Sequence, residues 1–156
     1  MNYVSTRNKT IKITSSEAIL QGLASDGGLF VPEDIPSAGL TEAELISMDQ
    51  YELTSHVLSK LLDDLDIQAV SAAVENGYKG KFSSEDLTPV VGLGSDSVLE
   101  LYHGPTSAFK DMALCILPHL IAASCRKNGV KKDILILTAT SGDTGKAALA
   151  GFADAP

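Results

Sequence analysis

Two short stretches of this chain carry residue types that do chemistry. The first is His103-Gly104-Pro105-Thr106-Ser107-Ala108-Phe109-Lys110-Asp111. Lys110 sits between Phe109 and Met112 at the start of an expected helix over about 108–127. Apolar surroundings and a like-signed helix dipole both favour the neutral amine over the ammonium. A neutral amine is a nucleophile and forms an imine with an aldehyde. The ordinary alternative is a solvated lysine paired with Asp111. The second stretch is Thr138-Ala139-Thr140-Ser141-Gly142-Asp143-Thr144-Gly145, which opens another helix. Helix-start amides next to hydroxyls and glycines suit a carboxylate or phosphate. Here the alternative is a simple N-cap in which Ser141 or Asp143 serves its own helix. Gly145-Lys146 invites a nucleotide-binding P-loop reading, but position 140 is Thr where that motif needs glycine and position 147 is Ala where it needs a hydroxyl.

The elements around these loops read as an α/β chain. Residues 3–6 and 10–13 are expected as short strands. Thr14-Ser15-Ser16-Glu17 has the pattern of a capping box, and Asp26-Gly27-Gly28 is expected to stop the helix it starts. Thr41-Glu42-Ala43-Glu44 repeats the capping pattern. Two amphipathic helices are expected near 49–64 and 66–76, with Asn76-Gly77 ending the second. Val90–Leu93 and Val98–Tyr102 are strand-like, and the unbroken apolar run Ile134–Thr138 reads as a buried strand. Residues 97–152 therefore read as strand, helix, strand, helix: one parallel βαβ unit and the start of another, with both chemical loops at carboxyl ends of strands. Pro118 is expected to kink the 108–127 helix. The division expected is a helical region with short strands over 1–80 and an incomplete α/β domain over 81–156. The final helix ends where a doubly wound fold would begin its next strand, so truncation is expected.

Composition narrows the function classes. Net charge is −8, which disfavours nucleic acid and anionic membrane as partners. The hydrophobic fraction of 44% is sufficient for a packed core. Cys115 and Cys125, read as lying on one helix, cannot meet in a disulfide and suit a reducing, cytoplasmic setting. The three histidines, His56, His103 and His119, have no metal-like grouping. No secretory signal and no membrane-spanning apolar stretch is visible.

Together these segments resemble the threonine synthases, pyridoxal-phosphate (PLP) enzymes of fold type II, over essentially the whole chain. The 103–111 segment is similar to their PLP-lysine segment and 138–145 to their substrate-carboxylate loop. Ser5-Thr6-Arg7-Asn8 and Ser25-Asp26-Gly27-Gly28-Leu29-Phe30-Val31-Pro32 resemble their N-terminal signatures. The resemblance implies the start of a fold-type II parallel sheet. It also implies that Lys110 holds PLP, that Phe109 and Asp143 lie beside the cofactor, and that Thr140, Ser141, Asp143 and Thr144 take the substrate carboxylate. The implied reaction converts O-phospho-L-homoserine and water to L-threonine and phosphate. The family's PLP-phosphate loop is expected beyond residue 156, which implies an isolated chain without synthase activity. Arg7 and Lys146 are candidates for substrate phosphate, with surface roles as the simpler alternative. The competing readings are another fold-type II enzyme, such as a threonine dehydratase-like protein, and a non-catalytic binding or interaction module. An uncovered sheet edge would promote self-association.

Overall fold

The computed structural model describes residues 1–153 and 155. It separates into two compact units, Met1–Ala73 with Leu120–Lys132, and Val74–His119 with residues from Asp133 onward.

The first unit begins with a small antiparallel sheet of β1 (Tyr3–Ser5), β2 (Lys12–Ile13) and β3 (Phe30–Pro32), in the order β2-β1-β3. Helix α1 (Ser15–Gln21) starts at the expected capping box: Thr14 and Glu17 satisfy each other's amides. It ends earlier than Asp26-Gly27-Gly28, at Gly22, whose φ of 72° breaks the helix. Helix α2 (Glu42–Ser47) has the second expected box, Thr41 with Glu44. Helix α3 (Gln50–Leu61) has a third, Asp49 with Glu52, which the sequence reading did not single out.

A polar network lies inside this unit. Ser15 and Ser16 both donate to the Asp64 carboxylate, Ser16 Oγ at 2.5 Å and the Ser16 amide at 3.1 Å. Asn128 Nδ2 then donates to Ser16 Oγ and to the Ser124 carbonyl, each at 2.9 Å. Burial alone would raise the Asp64 pKa, but the Ser15 and Ser16 hydrogen bonds outweigh it and lower it.

Helix α4 (Ile67–Tyr78) carries the chain from the first unit into the second. It runs straight through Asn76-Gly77, the expected stop. Gly77 serves close packing instead: a Cβ there would lie 2.9 Å from the Ile116 Cα. The turn comes at Gly80, with φ 72°. In the second unit, β4 (Val90–Leu93) and β5 (Asp96–Leu99) form an antiparallel hairpin closed by Gly94-Ser95. A two-residue connection permits only antiparallel pairing. The expected parallel partner of Val98–Tyr102, Ile134–Thr138, joins no ladder among the described residues. Leu135 and Leu137 are 86% and 89% exposed. An apolar run records a tendency to be buried; a strand needs neighbours to bond to.

The single helix expected over 108–127 is two: α5 (Asp111–Leu114) and α6 (Leu117–Asn128), which returns the chain to the first unit. Pro118 sits in the first turn of α6, where its missing N–H breaks no helical bond, so the break at Cys115–Ile116 takes the place of a kink. Cys115 and Cys125 thus belong to separate segments, and both are free. Helix α7 (Asp143–Phe152) packs against α5. Their approach depends on Gly151, where any Cβ would overlap the Leu114 carbonyl oxygen. Among the described residues, no helix is long and apolar enough to cross a membrane.

Gly151→Ala is expected to destabilise the protein by about 1–3 kcal/mol through overpacking, despite alanine's higher helix propensity. Leu149→Ala, on the exposed side of the same helix, should stay within about 0.5 kcal/mol. Urea unfolding of both variants checks the contrast.

Candidate active site

The Lys110 loop is built around the carboxylate that follows it. Asp111 is 1% exposed. Its Oδ2 accepts from the Thr106 amide at 2.8 Å and its Oδ1 from the Thr106 hydroxyl at 2.6 Å. Gly104 makes room for it, because a Cβ at 104 would lie 2.5 Å from the Asp111 Oδ2. The chain turns between them with the Ser107 amide bonded to the Gly104 carbonyl at 3.1 Å and Ser107 at φ 57°. The pairing of Lys110 with Asp111 considered from sequence therefore gives way to an Asp111–Thr106 pairing.

Lys110 is the N-cap of α5 rather than a residue in the first turn of a long helix. One helical turn has little dipole, so the expected opposition of dipole and cation loses its basis. What remains is geometry. Lys110 is half-buried, and its Nζ lies 4.1 Å from the centre of the Phe109 ring, itself 59% exposed. A cation or amine over that face is held by the ring's electron density. His103 is committed elsewhere: Nδ1 meets the Ser83 hydroxyl at 3.1 Å and Nε2 meets Glu100 at 2.7 Å. Behind the loop, burial and the neighbouring Asp111 push the Cys115 thiol up, which keeps it protonated and unreactive. Burial and the same Cys115 push the Tyr78 phenol up to about 12, and it donates to the Met112 carbonyl at 2.7 Å.

In the second loop the capping oxygen belongs to Thr140, not to Ser141 or Asp143. Thr140 Oγ1 accepts from the Gly145 amide at 2.9 Å and the Gly142 amide at 3.2 Å. Gly145 must lack a Cβ, which would sit 2.7 Å from that oxygen, and Gly142 adopts φ 147°. Ser141 and Asp143 are exposed and Thr144 is half-buried. The amides of Asp143 and Thr144 lie in the first turn of α7, where helix geometry supplies no acceptor. The structure brings together the helices that follow the two loops, α5 and α7. An amine beside an aromatic face fits the aldehyde and ring of PLP. Helix-start amides and hydroxyls fit an anion.

Arg7 and Lys146, the two candidates for substrate phosphate, belong to different units. Lys146 is exposed on α7. Arg7 Nη1 donates to the Asp26 carbonyl at 3.1 Å and lies over Gly27. The Asp26 carboxylate accepts from the Ser5 hydroxyl at 2.8 Å and from the Gly28 amide at 2.9 Å. A Cβ on Gly28 would overlap Ser5 Oγ. The two N-terminal signature segments are thus one hydrogen-bonded knot. Sequence reading singled out these residues without finding their partnership; a serine in a strand-like run and an aspartate followed by two glycines are its local signals.

Comparison with known proteins gives one consistent result. A family model for the threonine synthase N terminus matches residues 2–78. Threonine synthase of Pseudomonas aeruginosa is 40% identical over 97% of this chain and 32% of its own length. The human threonine synthase-like 1 is 40% identical over 88% of this chain and 19% of its own length. The crystal structure of PLP-bound threonine synthase from Brucella melitensis superimposes with a TM-score of 0.86 at 34% identity, over 97% of this chain and 33% of that one. The Escherichia coli threonine synthase gives a TM-score of 0.83 at 31% identity, over 99% of this chain and 34% of that one. The chain spans about a third or less of the length of these relatives. The overall α/β fold is that of these fold-type II enzymes.

The Gly28 amide, then the Ser5 hydroxyl, hold the Asp26 carboxyl below the usual carboxylate range. A depressed folded-state pKa contributes stability above the unfolded value, near pH 4, and loses it as pH falls through the folded value. Asp26→Asn is expected to flatten the acid side of the stability–pH curve, measured by urea midpoints from about pH 3 to pH 6. Separately, Thr140→Val should destabilise the start of α7 by about 1 kcal/mol, read as faster hydrogen exchange at the Gly145 amide.

Proposed function

We propose, from the match of residues 2–78 to the threonine synthase N terminus and the 40% identity to a threonine synthase, that this chain's residues supply the PLP lysine and the substrate-carboxylate loop of a threonine synthase. The reaction is conversion of O-phospho-L-homoserine and water to L-threonine and phosphate by a PLP-dependent lyase. The observation that carries this reading is Lys110: an amine in an immobilised loop, 4.1 Å over an exposed aromatic ring, inside the stretch that aligns with the Pseudomonas aeruginosa threonine synthase. The knot of Ser5, Arg7, Asp26 and Gly28 favours a synthase over a dehydratase-like relative, since these are the synthase-type signatures and they hold one another in place.

Each residue has a physical task. Lys110 Nζ would hold the cofactor and would carry protons between substrate carbons. PLP, when bound, supplies an electron sink for carbanions. Phe109 offers its face beside the amine. The Asp143 and Thr144 amides and the Ser141 and Thr144 hydroxyls bind the substrate carboxylate. Thr140 acts one step back, fixing the turn through the Gly142 and Gly145 amides. The Asp143 side chain is exposed and turns its charge to solvent, since a second carboxylate facing the substrate's would repel it. The working compartment is the cytoplasm, where two free thiols stay reduced. These residues alone, about a third of a relative's length, are expected to release no phosphate from phosphohomoserine. Self-association is expected through an exposed sheet edge, and the exposed apolar run 134–137 would add to it.

The deciding experiment mixes the chain with PLP, reduces with borohydride and maps the label by mass spectrometry. Label concentrated on Lys110, and lost in Lys110→Ala, is the expected result. Label spread evenly over surface lysines would sink the assignment of Lys110 to the cofactor within these residues.

A further inference from the structure

We propose that Asp111 is the positioning residue for the Lys110 amine, acting through Thr106 and Gly104 rather than through contact with any ligand. The proposal rests on the reading of Lys110 as the cofactor lysine. Three observations converge on it. Asp111 follows Lys110 directly and is 1% exposed, so it cannot reach a ligand in solvent. Both its oxygens are taken by one residue five positions earlier, at 2.8 and 2.6 Å. The space beside it exists only because residue 104 is glycine.

The consequence is a closed backbone loop. Thr106 is fastened to Asp111 and Ser107 to Gly104, while the Ala108 carbonyl accepts from the Asp111 amide at 3.0 Å. On the other side, the Lys110 carbonyl accepts from the Ala113 amide at 3.1 Å and the Leu114 amide at 2.9 Å. Lys110 is therefore held on both flanks. Only its side-chain torsions stay free, and these end with Nζ over Phe109. No ion pair engages Lys110 among the described residues. The carboxylate nearest in sequence is committed to the loop and leaves the amine open to an aldehyde. Reaction rates of pre-positioned groups fall steeply with small displacements, so loosening this loop should be felt at Nζ.

The test uses Thr106→Val, which keeps shape and removes the hydroxyl donor, and Gly104→Ala, which displaces Asp111. Thr106→Ser and Asp111→Asn are the conservative partners. In Asp111→Asn the Thr106 hydroxyl can rotate to accept from the new amide, so the loop stays closed. Two readouts are taken on variants with wild-type circular dichroism. One is free of cofactor: trace acetic anhydride acetylation of Lys110 relative to exposed Lys132, across pH. The other is borohydride-trapped PLP on Lys110. Thr106→Val and Gly104→Ala should shift the acetylation ratio and cut trapping at Lys110 by roughly tenfold, with Thr106→Ser and Asp111→Asn near wild type.

Unchanged trapping and acetylation in Thr106→Val would overturn the positioning role while leaving the cofactor reading intact. A wild-type chain that traps nothing at Lys110, but whose acetylation ratio still moves with Thr106→Val, would remove the cofactor reading and keep the positioning role. If Thr106→Val and Gly104→Ala fail to fold, the decision passes to the conservative pair. Retained trapping in both supports closure of the loop as the cause; loss of trapping in folded Asp111→Asn shows that the carboxylate acts by its charge, and overturns the proposal.

Discussion

A carboxylate that is almost wholly removed from water must find donors for its oxygens, because burying it unpaired costs several kcal/mol. Asp111 finds them in the amide and hydroxyl of Thr106, and much of the second unit follows from that requirement. The loop 104–110 closes over the carboxylate, Gly104 loses the right to a side chain, and Lys110 is left at a fixed point at the head of α5. Helix α5 then presents Leu114, whose carbonyl lies against Gly151 of α7. One buried ionisable group thus links the amine-bearing loop to the helix that follows the hydroxyl-rich loop.

The first unit uses the same kind of donors at two partly exposed carboxylates. Asp26 ties Ser5 to Gly28, and Asp64 ties Ser15 and Ser16 toward Asn128. In both, hydroxyls and backbone amides supply the donors and hold the carboxyl's pKa down. None of these groups faces an ion pair of the ordinary surface kind, which is worth little. Glycines at 28, 77, 104, 145 and 151 mark where side chains or backbone approach too closely for a Cβ. Glycine at these positions thus has a steric meaning beyond flexibility.

Apolar surface is distributed unevenly. Residues 134–137 and the β4–β5 hairpin expose valine, leucine and isoleucine side chains, while the segments around Lys110 and Asp26 are closed by hydrogen bonds. The exposed run and the satisfied loops differ in kind. The loops are finished by contacts within the described residues. The apolar run has no ladder partner among them.

The sequence by itself determined what depends on neighbours a few positions apart. Two capping boxes, at Thr14 and Thr41, were legible because a cap is a contact between residues three apart. The third, at Asp49, has aspartate in place of threonine and was seen only in the structure. The lysine loop and the glycine–hydroxyl loop were legible as chemistry because their residue types alone limit what they can bind. Tertiary structure decided everything that needs a distant partner. Gly77 looks like a helix stop until Ile116 arrives against it, and Gly22, with no such cue, makes the real stop of α1. Ile134–Leu137 has the composition of a buried strand, but pairing belongs to the neighbour and not to the run. The dipole argument for Lys110 failed because the helix it assumed divides ahead of Pro118. Thr140, not Ser141 or Asp143, caps α7 because the backbone at Gly142 turns the threonine hydroxyl toward two amides, a choice among four hydroxyls or carboxylates that composition cannot make.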